Sequence, residues 1–135
     1  MTPRAVLDTN VIVSGFGWPG TPARVLDAVL DGRIALVTSP PLLAELRRVL
    51  AYPKLANVIA DSASLVDLVE GASVLVTPTV TLNVVTDQSD NRVLEAAVEG
   101  AVDCIVSGDD HLLELGSFRG IAIVSAADFA ARFLA

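Results

Sequence analysis

The sequence predicts an α/β fold: a three-layer α/β/α sandwich around a mostly parallel sheet of four or five strands. Three observations predict it. Short, β-branched apolar runs recur along the chain without strict polar alternation, as expected of parallel strands covered on both faces. Stretches with apolar residues at helical spacing fill the intervals between them. Carboxylates stand where several of the apolar runs end.

The first strand spans 4–8 (RAVLD), and a glycine- and proline-rich loop, GFGWPG, follows at 15–20. Residues 22–31 form a helix through Val25, Leu26, Val29 and Leu30, with Gly32 as its stop. A strand at 34–38 (IALVT) leads to Ser39, a helix cap, and to a helix over 40–51 that starts on prolines. A helical pair covers about 53–75 and breaks near Asp61-Ser62. A weaker strand follows at 82–86 (LNVVT), then a helix over 89–100 with Val93, Leu94, Ala97 and Val98 on one face. Strands at 102–107 and 121–124 flank a short helix after Asp109, and a helix over 126–134 closes the series. Right-handed crossovers are then nearly forced. Without repeat or linker, residues 1–135 read as one domain.

Composition narrows the function. The chain is 53% apolar and has net charge −7. Such acidity argues against a passive, nonspecific nucleic-acid binder, which would be basic. It leaves room for an enzyme that handles phosphates through bound cations. No apolar stretch reaches the roughly 18 residues of a membrane helix, and no secretory signal is visible. With Cys104 as the only cysteine, no internal disulfide can form, and a reducing cytoplasm is expected. The apolar surplus suggests a homodimer.

In a parallel sheet, ligands bind beyond the carboxyl ends of the strands, where strand order reverses. Four acids belong near that rim. Asp8 ends the first strand, Asp109 follows the fourth, Asp90 opens the helix after the third, and Glu45 lies in the helix after the second. On a helical wheel Glu45 sits about 40° from Val49, at the edge of the apolar face. Each acid alone has a structural explanation. Asp8 suits an Asx-turn, Asp90 a capping box begun by Asp87, Asp109 an N-cap, and Glu45 a pair with a neighbouring arginine. Four carboxylates at one rim would nevertheless repel one another strongly. Oxygen-only ligands of that kind favour Mg²⁺ or Mn²⁺ over zinc.

The segments "AVLDTNVIVSG", "SPPLLAELRRVL", "DQSDNRVLEAAVEGAVD" and "CIVSGDDHLL" carry a resemblance. In order, spacing and strand context they resemble the motifs of the PIN domain family, in its VapC-like branch of toxin–antitoxin systems. The resemblance runs from Arg4 to about Phe129. It implies a PIN-like fold and a metal-dependent endoribonuclease acting on single-stranded RNA, inhibited by a cognate antitoxin protein. Asp8, Glu45, Asp90 and Asp109 match the family's acidic quartet and would hold Mg²⁺ or Mn²⁺. Asn10 or Thr9 matches the polar support after the first acid, and Ser107 the hydroxyl residue two places before the last. Asp87 and Asp110 compete with Asp90 and Asp109. Arg47, Arg48 and Arg92 are candidate phosphate contacts.

Two other readings compete. The chain could be a catalytically silent PIN-like interaction module whose acids bind a basic segment. GFGWPG also matches the G-x-G-x-x-G of a Rossmann-type dinucleotide site. Pro19 stands where such a helix should offer N–H groups to pyrophosphate, and no acid follows the second strand to bind ribose. His111 reads as a helix-start residue and Cys104 as core.

Overall fold

Ala5, Val6 and Leu7 lie on the first strand, β1 (Arg4–Leu7), and face alternate sides of one sheet, as successive strand residues must. In this computed structural model, which describes residues 2–134, Ala5 and Leu7 enter one apolar cluster and Val6 enters another. The same split recurs on β2 (Ala35–Thr38) and β4 (Cys104–Val106). Leu36, Cys104 and Val106 face the first cluster, whereas Val37 and Ile105 face the second. Strands buried on both faces therefore produce the continuous apolar runs seen in the sequence.

Helices cover both faces. The first cluster is closed by α1 (Thr9–Gly17), α2 (Thr21–Leu30), α5 (Ser62–Ala72) and α8 (Ala126–Phe133). The second is closed by α6 (Gln88–Glu99) and α7 (Asp110–Leu115). α3 (Pro40–Leu50) sends Leu46 and Leu50 to the first and Leu42 to the second, and the short α4 (Pro53–Ala56) follows it. Ser39 caps α3 by accepting from the Leu42 N–H at 3.4 Å. The expected α/β sandwich is present.

The sheet has six strands in the order β3-β2-β1-β4-β6-β5, where β3 is Ser73–Leu75, β5 Ser117–Phe118 and β6 Ile121–Val124. All neighbours are parallel except β5 and β6. The chain builds outward from β1 through β2 to β3, then returns through α6 to place β4 on the other side of β1. Strand order thus reverses between β1 and β4, which pair through Ala5–Cys104, Val6–Ile105 and Leu7–Val106. Asp8 and Ser107 stand directly beyond that pair.

Three expectations need correction. Residues 82–86 are not a strand. Their N–H groups bond to side chains of α6 instead of a ladder: Leu82 to Glu95 at 2.7 Å, and Val84 and Val85 to Asn91 at 2.9 and 3.0 Å. The third strand is β3, at residues the helical pattern had claimed, and the β5–β6 hairpin raises the strand count to six. Finally, α1 occupies a segment that carries β-branched residues and two glycines, all poor helix formers. Packing overrides propensity there. A Cβ on Gly15 would lie 3.0 Å from the Pro22 carbonyl oxygen and 3.1 Å from Leu26 Cβ, so glycine permits the close approach of α1 and α2. With Gly15 and Gly17 inside α1, GFGWPG does not form a phosphate-binding loop opening a helix. No helix among the described residues is long and apolar enough to cross a membrane.

Candidate functional site

The carboxyl ends of β1 and β4 bring the first and last acids together. Asp8 leaves β1 as the N-cap residue of α1, and Asp109 caps α7. Ser107 joins them. Its hydroxyl donates to Asp8 Oδ2 at 2.9 Å and accepts from the Asp109 N–H at 3.0 Å. The hydroxyl is fully buried, so its two partners fix its orientation.

α6 adds the third acid from the second face of the sheet. Asp87 caps this helix by accepting from the Ser89 N–H at 2.9 Å. Asp90, in the first turn, is buried, and its Oδ2 has no hydrogen-bond donor. Asp87 accepts from the Ser89 N–H and not from that of Asp90, and Asp90 does not accept from the Asp87 N–H, so the capping box expected of Asp90 is not formed. Asp109 does act as a cap, since its Oδ1 accepts from the N–H groups of His111 and Leu112 at 2.9 and 3.2 Å.

Glu45 arrives from α3. It forms an ion pair with Arg48 and accepts from the Ser89 hydroxyl at 3.3 Å. The pairing with a neighbouring arginine is thus realised, and the glutamate still lines the same cavity as the aspartates. That cavity, of about 160 Å³, is walled by Asp8, Thr9, Asn10, Glu45, Arg48, Asp87, Ser89, Asp90 and Asp109. Asp110 lies outside it, in a neighbouring depression beside Ser125.

Electrostatics mark the aspartates as strained neighbours. Burial, then the charges of Asp109, Asp8 and Asp87, push the Asp90 carboxyl up to about 7. Burial also raises the Asp8 carboxyl, with Asp109 and Asp87 adding to the effect, against the lowering bonds from Ser107 and the Thr9 N–H. Such a group of acids has an obvious chemical complement, a hard divalent cation. The donor-less oxygen of Asp90 fits that complement: a buried acceptor is held open where cation coordination would satisfy it.

The arginines divide. Only Arg48 lines the cavity. Arg47 pairs with Glu70 on α5 at 3.1 Å, and Arg92 pairs with Glu95 at 2.9 Å while donating to the Leu82 carbonyl at 3.2 Å. Three residues carry more than the sequence reading assigned them. One atom each of Asp90, Asp109 and His111 lie within 4.8 Å of one another, so the imidazole is in range of a shared ion. The signal was a histidine two places after an acidic cap, in the first turn of a helix. Asn91 and Glu95 are buried and hold the 82–85 segment. They were legible only as polar residues interrupting the apolar stripe through Leu94 and Val98.

Comparison with known proteins agrees with this geometry. The sequence model of one family, described as PIN domain, matches residues 4–111, a span that contains every acid of the cavity. The chain is also 30% identical over 116 residues to an uncharacterized protein of Methanocaldococcus jannaschii, covering 83% of this chain and 74% of that protein.

Proposed function

The chain belongs to the PIN domain family, whose members are generally nucleases, and on that premise we propose that it is a metal-dependent endoribonuclease cutting single-stranded RNA. The observation that carries the reading is the Asp8–Asp90–Asp109 group at the point of strand reversal, with a buried Asp90 oxygen left without a donor. Asp8, Asp90 and Asp109 would hold Mg²⁺ or Mn²⁺, with Glu45 at the margin. When bound, such an ion supplies charge neutralisation at the scissile phosphate and lowers the pKa of an attacking water.

The chain's own residues do the positioning. Ser107 orients the Asp8 carboxylate by its hydrogen bond and ties the loop before α7 to the end of β1. Thr9 and Asn10 shape the floor and mouth of the cavity. Arg48 is the guanidinium placed to meet a substrate phosphate at the rim, at the expense of its bond to Glu45. No side-chain nucleophile is required, because water attacks and the product keeps a 5′-phosphate.

By its likeness to the VapC-like branch, the biological role is that of a toxin. It would be a single-domain cytoplasmic homodimer over 1–135, held in check by a cognate antitoxin. One observation favours a catalytically silent interaction module instead: Glu45 is already neutralised by Arg48.

One assay separates the two. Purified protein is incubated with a generic single-stranded RNA in Mg²⁺, Mn²⁺ or EDTA, beside Asp8→Asn and Asp109→Asn. Cleavage that needs the ion and disappears in both variants supports the ribonuclease. No cleavage under any condition supports the silent module.

A further inference from the structure

Beside the acidic cavity lies a second groove, of about 470 Å³, between α1 and the α3–α4 corner. It is lined by Val13, Trp18, Val49, Tyr52, Lys54 and Leu55, with Asn10 at the end it shares with the acidic cavity. Its character is the reverse of its neighbour's. No carboxylate lines it, and Lys54, the only lysine of a chain with net charge −7, has no ion-pair partner among the described residues. Aromatic residues make up 4% of the sequence, yet its one tryptophan and one tyrosine both sit here, each about half exposed.

Arg48 connects the two sites. It lines the acidic cavity, donates to the Tyr52 hydroxyl at 2.7 Å, and holds its guanidinium 5.9 Å from the Tyr52 ring centre. From a phosphate at the acids, the adjoining position along a strand is therefore bounded by an aromatic ring and a free ammonium group. Aromatic faces beside cations match the exposed base and charged backbone of single-stranded nucleic acid, whose bases stack on such rings. A duplex keeps its bases stacked on each other and cannot offer them.

We propose that this groove is a nucleobase subsite: an unpaired base next to the scissile phosphate stacks on Tyr52 and Trp18, and Lys54 meets the flanking phosphate. The assignment rests on the reading of the acidic cavity as an RNA-cutting site. It adds that the preference for single strands originates in the groove between α1 and α4, and not among the acids.

Trp18 is the sole tryptophan, so its fluorescence reports directly on the groove. Asp8→Asn protein, used to suppress cleavage, is titrated with a short single-stranded oligoribonucleotide, the same sequence as a duplex, and an abasic strand of equal length. Quenching by the first alone is expected. In the Asp8-containing protein, Tyr52→Leu and Trp18→Leu each raise KM for RNA cleavage roughly tenfold with little change in kcat, and Tyr52→Phe restores the KM. Both side chains are half exposed, so these variants fold.

Cleavage with unchanged KM in both leucine variants, and no quenching, overturns the subsite and leaves the ribonuclease reading intact. Quenching by the single strand in a protein that cuts no RNA overturns the ribonuclease and leaves a strand-binding groove. Equal quenching by the abasic strand overturns base stacking. Quenching by an amphipathic helical peptide but not by RNA assigns the groove to a protein partner and overturns the proposal.

Discussion

Asp90 and Glu95 are buried carboxylates on the same helix, α6, barely more than one turn apart. Their surroundings differ completely. Glu95 accepts from the Leu82 N–H and faces the Arg92 guanidinium, whose Nε lies 2.9 Å away without hydrogen-bond geometry, so an opposite charge and a donor meet it. Asp90 meets other carboxylates, and one of its oxygens has no donor. Burial with partners makes Glu95 part of the framework. Burial without them costs stability, a cost that marks a group retained for something other than holding the fold together.

The largest effect that tests this contrast is on rate. Asp90→Asn should lower RNA cleavage by about 10²-fold or more while the melting temperature holds or rises, because a repelling charge is gone. A clear fall in melting temperature would move Asp90 into the class of Glu95. Glu95→Ala should do the reverse, costing about 3 kcal/mol in urea unfolding by stranding Arg92 and the Leu82 N–H. A cost within error of zero would erase the distinction between the two acids.

Next in size is the response to ions. At 100 times its dissociation constant, Mn²⁺ should stabilise the unsubstituted protein by about 2.7 kcal/mol in a melting experiment. The gain should vanish in Asp90→Asn and persist in Glu95→Ala. The smallest effect is on pH dependence after EDTA treatment. Folded Asp90 holds its proton up to about 7, whereas the unfolded chain releases it near 3.8. Between those values the folded state binds more protons, so stability falls as pH rises. Below 3.8 and above 7 the Asp90 contribution is flat. Urea titrations at several pH values should show the slope in the unsubstituted protein and lose it in Asp90→Asn.

The sheet's inner strands and most helices were legible because a residue buried on a face must be apolar, and the period of the pattern names the element. Asp8 and Asp109 were legible for a related reason, since they stand at the ends of strands that the pattern locates, whereas Ser107 was legible only through the family resemblance. What the pattern could not reveal was structure held by side chains reaching across the chain. The 82–86 segment has a strand's composition, but its backbone donors go to Asn91 and Glu95. The Ser73–Leu75 strand is half exposed at the sheet edge and follows α5 without an intervening residue, so its short run Val74-Leu75-Val76 read as the end of the helical pattern. Helix α1 was hidden because Gly15 is chosen for contact with α2, not for helix propensity. The pairing of Glu45 with Arg48 was foreseeable from three-residue spacing, whereas the diversion of Arg47 to Glu70 depends on where α5 packs.

Asn91, Glu95 and Glu99 recur every fourth residue along α6, and they grip the chain at Val84 and Val85, at Leu82 and at Thr79. Each grip closes on a backbone N–H, a group that every residue except proline possesses. Val84 and Val85 can therefore change identity without moving the segment, provided proline avoids them, whereas Leu82 also packs on the second cluster and the Thr79 hydroxyl also donates to Glu99 at 3.0 Å. Much of the specification of that segment resides on the helix that holds it, so α6 sets both the acids Asp87 and Asp90 at its start and the path of the chain that leads to them.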